Sequence, residues 1–489
     1  MQLRWKITGF VCLFSTLTIQ NIQAQSPATL IPLTTSATLF QEKTAKLPWQ
    51  QMTCSLGATK PEDTAPSIST LFTLQCALYA TNETYYGKPD GFPMAYYYGA
   101  IPANGISTYG TILDAEPIVH DILRRYPNGQ QLLYTTDNLE EKPSTLILLD
   151  DQSRPIWKYL VPTAPKKSIG FISFDATALT NGYVAVYYNP TLSTDWLPNN
   201  EVGYNQTSIP LVIDRLNQQG TVISNQKIDV KINAETRITL AVEEGKNIGV
   251  WPLQDGGFAI SLLSLATNSK TKTQASYQVV FFKEDGQVSS QAEINLEKNA
   301  ALGTKKFLVD PAGNILVLAY SGQGKESWLS AFQNELTLYN RQGQQQWQRP
   351  ILPAKNDTGK SACLSWDLLI NPSATYVVIC EQRRYVKGEW VKNEAYHQLL
   401  AVQIDGQGRE RKRQSILSAA DMSFLYYSNQ FGINASDWRG VIIDNQLFFS
   451  FQQDEKPIQR SDILKQITKG QITLSEMLNL RLYQVKLEK

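Results

Sequence analysis

One short pattern recurs along this chain: an apolar run, a tight polar turn, and a second apolar run. The clearest copy has the turn Asp255-Gly256-Gly257 before residues 258–262, and residues 277–282 before the turn at 283–287. Gly- and Asp-containing turns between aromatic and β-branched runs are typical of antiparallel strands. With a further short strand predicted at residues 247–253, this copy forms a four-stranded meander.

The second strands of seven such copies begin at comparable points. These points are Leu74, Leu132, Tyr183, Phe258, Ile315, Tyr376 and Leu447. Their spacing of about 50–75 residues is typical of propeller blades with variable loops. A lone meander cannot bury both faces, whereas copies stacked in a closed ring can. We therefore predict an all-β fold, a β-propeller of seven blades, with six or eight as alternatives because the first copy is weak.

The last copy of the pattern lacks one strand, and the N-terminal segment could supply it. The last copy supplies only three strands before Lys489, and residues 28–49 precede the first copy without another place in the repeat. We expect this N-terminal segment to add the missing outer strand beside residues 480–487. The predicted organisation is a signal peptide at 1–24, a ring-closing segment at 25–67 and the propeller at 68–489.

The first residues resemble a secretory signal peptide. Arg4 and Lys6 precede a mostly apolar stretch at 7–19, and Ala24 offers a small residue before a cleavage point. The apolar stretch is too short for a good membrane span. We expect an exported protein, periplasmic or extracellular, without a transmembrane segment.

Four cysteines remain after residue 24. They are Cys54, Cys76, Cys363 and Cys380. An even number in an exported chain indicates disulfides, although four cysteines allow three pairings. Cys363 and Cys380 stand at similar distances from a predicted turn at Pro372-Ser373, which would bring them to facing strand positions. We predict Cys363–Cys380 and, by elimination, Cys54–Cys76.

Three of the repeats resemble known propeller families. The residues Asp255-Gly256-Gly257-Phe258, with Lys283-Glu284-Asp285-Gly286, resemble bacterial propeller repeats of the DGG-F…K-D-x-x-G type. Residues 336–343 with Trp347 are similar to quinoprotein-like blades, and residues 146–150 with Trp157 more loosely so. The resemblance implies the fold and not an activity. Most copies lack the tryptophan, and we predict no cofactor.

The charge balance and the histidine count limit the possible functions. Lys and Arg total 45 against 44 Asp and Glu, so no net field attracts nucleic acid. Only His120 and His397 occur, without metal-spaced cysteine pairs, and we predict no metal site. His120 lies at the start of an inner strand. It is either a base facing the channel or, more often for such a residue, an ordinary hydrogen-bonded side chain.

Large aromatic residues mark the connections between second and third strands. They are Tyr85, Tyr86, Trp196, Trp328 and Trp390. These connections should gather on one face, where aromatic rings suit sugar rings or peptide side chains. The alternative is that the rings fasten the loops onto the blades. In the last connection, Ser461-Asp462 and Gly470 predict the start and end of a helix.

The predicted function is ligand or protein binding by an exported scaffold, with a protein or glycan ligand on the loop-rich face. The alternative is an enzyme acting on a glycan at the mouth of the central channel. Whether the chain is an enzyme stays undecided, because no catalytic motif is recognisable. A cluster of two or more buried carboxylates at the mouth, with shifted pKa values, would favour the enzyme, and an aromatic, charge-poor face would favour binding.

Overall fold

The computed structural model shows seven small antiparallel sheets arranged in a ring, a seven-bladed β-propeller as predicted. It describes residues 28–31, 34–36, 46–58, 72–85, 88–89, 93–101, 106–107, 110–114, 119–126, 130–136, 145–150, 154–161, 173–188, 208–231, 248–268, 272–296, 304–320, 334–351, 360–371, 375–386, 389–390, 398–417, 438–452, 457–467, 471–473 and 480–487. The predicted signal peptide lies outside these residues.

Each blade has an inner, a second, a third and an outer strand, and in blades 1 to 6 the chain passes through them in that order. Blade 1 has Gln51–Ala58, Phe72–Tyr79, Ala95–Ile101 and Gly110–Asp114. Blade 2 has Val119–Arg125, Gln131–Thr136, Thr145–Leu149 and Pro155–Leu160. Blade 3 has Ser173–Leu179, Gly182–Tyr188, Ser208–Leu216 and Val222–Lys231. Blade 4 has Ile248–Pro252, Phe258–Asn268, Lys272–Phe282 and Val288–Leu296.

Blades 5 and 6 follow the same order, and blade 7 takes its outer strand from the N-terminal segment. Blade 5 has Thr304–Val309, Ile315–Tyr320, Asn334–Tyr339 and Gln345–Ile351. Blade 6 has Lys360–Asn371, Thr375–Val386, Gln398–Asp405 and Glu410–Leu417. Blade 7 has Trp438–Ile443, Gln446–Gln452, Leu480–Lys486 and, as its outer strand, Thr29–Ile31. The helix Arg460–Ile467, at the predicted place, lies between the second and third strands of blade 7.

The outer strand of blade 7 confirms the predicted ring closure. Leu30 stands opposite Tyr483 and Ile31 opposite Leu482 in an antiparallel pair. Ile31 is buried in an apolar cluster formed by blades 1 and 7. The strand Gln51–Ala58 also lies within the segment 25–67, where it serves as the inner strand of blade 1.

Apolar side chains fill the space between neighbouring sheets, so each sheet is covered on both faces. Each buried cluster contains residues from neighbouring blades. Residues that share a cluster across a blade boundary are Tyr96 and Leu133, Tyr134 and Phe174, Val186 and Val250, Ala259 and Leu308, Leu308 and Leu368, Leu369 and Leu447, and Ile443 and Leu74. These clusters connect blade 1 through to blade 7 and back to blade 1. Burial between blades is therefore what holds the ring together.

Outer-strand tryptophans pack on the turns of the next blade. The Trp157 ring of blade 2 lies against Gly220 of blade 3, and the Trp347 ring of blade 5 lies against Gly408 of blade 6. Trp347 also donates its Nε1–H to the main-chain oxygen of Gly406 at 2.9 Å. Both are the tryptophans that the sequence pattern singled out, and their role is to fasten neighbouring blades.

Both predicted cysteine pairs lie at disulfide distance. Cys54 and Cys76 are directly opposed in blade 1, with Cα atoms 4.0 Å apart. In blade 6 the Cα atoms of Cys363 and Cys380 are 5.4 Å apart, and a bulge sets Cys380 opposite Ser365. The bulge belongs to a hairpin of two 12-residue strands, longer than the sequence predicts. In the described part of the chain, no helix has the length and apolar character needed to span a membrane.

Candidate functional site at the channel mouth

The strand directions define two faces of the ring. Inner strands begin, and second strands end, on one face, which we call the loop face because most of the longer connections start there. The opposite face, which we call the turn face, carries the turns between inner and second strands and between third and outer strands. One such turn, Asp444-Asn445, joins the first two strands of blade 7 with positive φ angles of 49° and 60°. Ligand-binding loops of propellers therefore have a natural place on the loop face.

Register identifies one level of the inner strands near the loop face. To find this level, we count three residues onward from the second-strand start given for each blade in the sequence analysis. The inner-strand residue that pairs with the residue reached in this way belongs to the level. The seven residues are Thr53, His120, Asp175, Gly249, Lys306, Asp367 and Arg439. We call them the inner-strand ring. Five of the seven are ionisable, which contrasts with the apolar blade cores.

Asp175 links blade 3 to blade 4 at this level. Its side chain is buried, and Oδ2 accepts a hydrogen bond of 2.9 Å from the main-chain N–H of Val250. Oδ1 accepts the N–H of Ala176 at 3.0 Å. An inner strand has one edge without a neighbouring strand, so its N–H groups need other acceptors. The Asp175 carboxylate satisfies one of them.

Asp367 links three consecutive blades. Its Oδ1 lies 2.9 Å from Nζ of Lys306 in blade 5, and its Oδ2 accepts the indole N–H of Trp438 in blade 7 at 3.0 Å. The side chains of Lys306 and Asp367 are only 26% and 11% exposed, so the ion pair is largely shielded from water. Asp175 and Asp367 are therefore both engaged in bonds that join blades.

A segment inserted in blade 7 reaches the channel mouth at blade 1. Its short strand Ile458–Gln459 pairs with the start of the inner strand, where Met52 stands opposite Ile458. Arg460 follows, and its Nη1 donates to the main-chain oxygens of Leu47 and Trp49 at 3.1 Å each. The same guanidinium lies 5.4 Å from the centroid of the Trp49 ring. These contacts fix the insertion on the loop face, beside the inner strand of blade 1.

Gln51 joins that insertion to a loop of blade 1. Gln51 is fully buried, and its Nε2 donates to the main-chain oxygen of Glu83 at 2.8 Å. Nε2 of Gln459 lies 3.4 Å from Oε1 of Gln51. Because both ends of one amide are engaged, two separate loop-face segments are held side by side at the mouth.

The described backbone places three of the six predicted aromatic and histidine positions on the loop face. Tyr85 lies in the strand Thr84–Tyr85, two residues after Glu83. Trp390 lies in Glu389–Trp390, which extends blade 6 beyond its second strand, and His120 opens the inner strand of blade 2 opposite Thr135. Tyr86, Trp196 and Trp328 lie outside the described residues.

Sequence reasoning missed the residues that build the mouth, namely Gln51, Glu83, Gln459 and Arg460. Gln51 and Gln459 are 408 positions apart, and no motif connects them. The predicted ring closure was the available signal, since it makes blades 7 and 1 neighbours. Among the described residues, no group of three or more His, Cys, Asp or Glu side chains is arranged to hold a metal ion.

No protein-family model and no curated protein sequence matches this chain. Solved structures of similar shape include the phage phi92 endosialidase, at 10% identity and a TM-score of 0.36, covering 95% of this chain and 70% of that one. A Synechocystis apocarotenoid oxygenase mutant aligns at 12% identity and a TM-score of 0.33, covering 75% and 90%. The subtype N11 neuraminidase-like protein of A/flat-faced bat/Peru (H18N11) aligns at 9% identity and a TM-score of 0.31, covering 72% and 95%. Likenesses this distant carry no argument about what this chain binds.

Proposed function

We propose that this protein is an exported β-propeller that binds a protein or glycan ligand on its loop face. The observation that carries the proposal is the link from Gln51 to Glu83 and Gln459. It fixes the blade 1 loop that bears Tyr85 against the blade 7 insertion, at the rim of the channel. A surface that is held in place before the ligand arrives loses less conformational entropy on binding.

Binding is favoured over glycan cleavage by the state of the carboxylates. Glycoside hydrolysis needs two carboxyl groups about 5–10 Å apart that face the substrate. In the described part of the inner-strand ring, Asp175 and Asp367 accept hydrogen bonds from neighbouring blades and from their own strands. Those bonds engage the oxygens that a hydrolase would direct at its substrate, so we propose recognition and not turnover.

Export is supported by the two cysteine pairs at disulfide distance, because stable disulfides belong to oxidising compartments. The signal peptide proposed at residues 1–24 would direct the chain to export. N-terminal sequencing of the protein recovered outside the cytoplasm should begin after Ala24. Recovery of the uncleaved chain from the cytoplasm, with free thiols, would contradict this part of the proposal.

Glycan and peptide arrays probed with the purified protein test the binding function. A ligand found there should bind at least about tenfold more weakly to the double variant Tyr85→Ala/Trp390→Ala, as expected for loss of aromatic contacts. Gln342→Ala is the matched control, because this exposed residue lies on the turn face. The proposal is overturned if no ligand binds, if the double variant binds like the control, or if product analysis shows that the ligand is converted.

A further inference from the structure

The outer strand of each blade forms the edge of its sheet, and the blades protect this edge to different degrees. An open edge presents N–H and C=O groups to other chains, and proteins usually blunt it with a short strand, a proline or a run of charge. The outer strands of blades 1 and 7 have only five and three residues. Those of blades 2 and 5 contain Pro155 and Pro350, and that of blade 6 carries three cations in succession at 411–413. The outer strands of blades 3 and 4 have none of these three features.

The outer strand of blade 3, Val222–Lys231, is the longest of the seven, at ten residues. Its pairing with the third strand shifts once, beside the hairpin turn, and then continues without interruption over 224–231. Its side chains are exposed over 222–225 and again at Lys227 and Asp229. In the part of the chain that the structure describes, no strand pairs with its other edge. This strand is therefore a regular and accessible template for pairing.

Two opposite charges stand two positions apart on this strand. Lys227 and Asp229 are exposed, and among the described residues neither has an ion-pair partner. Side chains at alternate positions of a strand point to the same face, so these two lie side by side. Ile228 points to the other face, where it packs half-buried against the apolar cluster of blades 3 and 4. The strand thus carries a cation, an apolar side chain and an anion in succession.

This order of residues is complementary to itself. When two identical strands pair antiparallel about a two-fold axis, one residue stands opposite its own copy. With Ile228 in that position, Lys227 of each copy stands opposite Asp229 of the other, and the two Ile228 side chains face each other. Directly opposed side chains have Cβ atoms about 4.5–5.5 Å apart, which is close enough for ion pairs and for apolar contact.

Other arrangements lack this complementarity. If the axis moved to Lys227, two lysines would oppose each other, and if it moved to Asp229, two carboxylates would do so, which is destabilising. The outer strand of blade 4 has a single charged residue, Glu293, which accepts the Ser276 hydroxyl at 3.0 Å. Only the blade 3 strand therefore combines an unprotected edge with charges that match a second copy.

We propose that two copies of this protein pair through the outer strands of blade 3, with Ile228 on the two-fold axis. The two four-stranded blades then form one sheet across the dimer. A pair of strands buries less surface than the standard interface of about 1,600 Å², so the dimer should be weak and dependent on concentration. The proposal does not depend on the loop-face binding site, which lies at other blades.

Sedimentation velocity of the purified protein between about 1 and 300 µM covers the range expected for a weak interface. The protein should change from monomer to dimer as its concentration rises. Lys227→Asp and Asp229→Lys should each weaken dimerisation about tenfold, because either change turns both ion pairs into like-charge pairs. The double variant Lys227→Asp/Asp229→Lys should restore dimerisation, since the exchange recreates both pairs. Lys158→Asp is the control, because it reverses an exposed charge on the outer strand of blade 2.

Cysteine variants test the register. Ile228→Cys should form a disulfide-linked dimer on oxidation, because the two introduced thiols would face each other. Ser224→Cys is the matched control, since Ser224 is more exposed but would stand several residues away from its own copy. Thermal unfolding of each variant verifies that it folds before dimerisation is compared.

The proposal is overturned if the protein stays monomeric over the whole concentration range, or if the folded single reversals dimerise like Lys158→Asp. It is equally overturned if the double variant does not recover dimerisation, or if Ser224→Cys cross-links as readily as Ile228→Cys.

Discussion

Trp438 in blade 7 donates its indole N–H to the carboxylate of Asp367 in blade 6, across 3.0 Å. Lys306 of blade 5 approaches the other oxygen of the same carboxylate at 2.9 Å. One side chain thus connects three consecutive blades at a level where each inner strand exposes an edge to the channel. This polar link adds to the apolar packing between neighbouring blades.

Replacing Asp367 should destabilise the ring strongly. Asp367→Asn removes the negative charge that faces Lys306 in a largely shielded site, and breaking a buried pair costs about 3–5 kcal/mol. The variant should unfold at a clearly lower temperature in calorimetry. Asp462→Asn is the control, since its ion pair with Lys465 is at the surface and should change stability by less than about 1 kcal/mol. Equal unfolding temperatures for the two variants would contradict a structural role for Asp367.

Ring closure can be tested at two adjacent residues. Ile31 is 7% exposed and packs between blades 7 and 1, whereas Leu30 is 53% exposed. Ile31→Asp would place a charge in the apolar cluster and should lower the unfolding temperature and increase proteolysis of the N-terminal segment. Leu30→Asp should leave both close to wild type, because the outer strand keeps its pairing. If the two variants behave alike, the closing strand does not form.

The turn beneath Trp347 offers a second matched pair of variants. Gly408 has a φ of 77°, and a Cβ atom there would lie within 3 Å of the Trp347 ring. Gly408→Ala should lose about 1–3 kcal/mol through backbone strain and a displaced indole. Gly406 has no atom within 4 Å of its Cβ position, so Gly406→Ala should be nearly neutral. Intrinsic tryptophan fluorescence should change in the first variant only, and a change in both would contradict the packing described.

Alkaline pH should weaken the seam between blades 2 and 3. Burial raises the pKa of Tyr183 from 10.0 to about 12, so the folded state holds the phenolic proton more tightly than the unfolded state. The resulting stability is complete below pH 10 and is lost as the pH rises towards 12. Denaturant unfolding across this range should show the loss, and Tyr183→Phe should reduce its pH dependence. An unchanged slope in that variant would contradict the assignment.

The blades are predictable from sequence because each one is encoded locally. In blade 4, Asp255-Gly256-Gly257 sets the turn and the apolar run from Phe258 sets the strand, so turn chemistry and strand pattern agree. The closing strand is predictable because blade 7 lacks one strand of its own. The length of the blade 6 hairpin is not predictable from sequence, because its polar residues continue the pairing beyond the apolar run that marks the strand.

The site residues are less predictable because their contacts cross the chain. Gln51 meets Gln459 only after the ring has closed, and an isolated glutamine has no recognisable pattern. The aromatic positions on the loop connections could be named from sequence, but the side chains that hold those connections could not.

The pairing of Thr29–Ile31 with Leu480–Lys486 affects how the protein folds during its synthesis. Thr29–Ile31 is made long before its partner, so the circle has no finished state until residues 480–486 have also been made. A chain interrupted before residue 480 keeps an open sheet edge on which proteases and neighbouring molecules can act. The pairing therefore works as quality control, since only copies that include residues 480–486 become sealed against degradation.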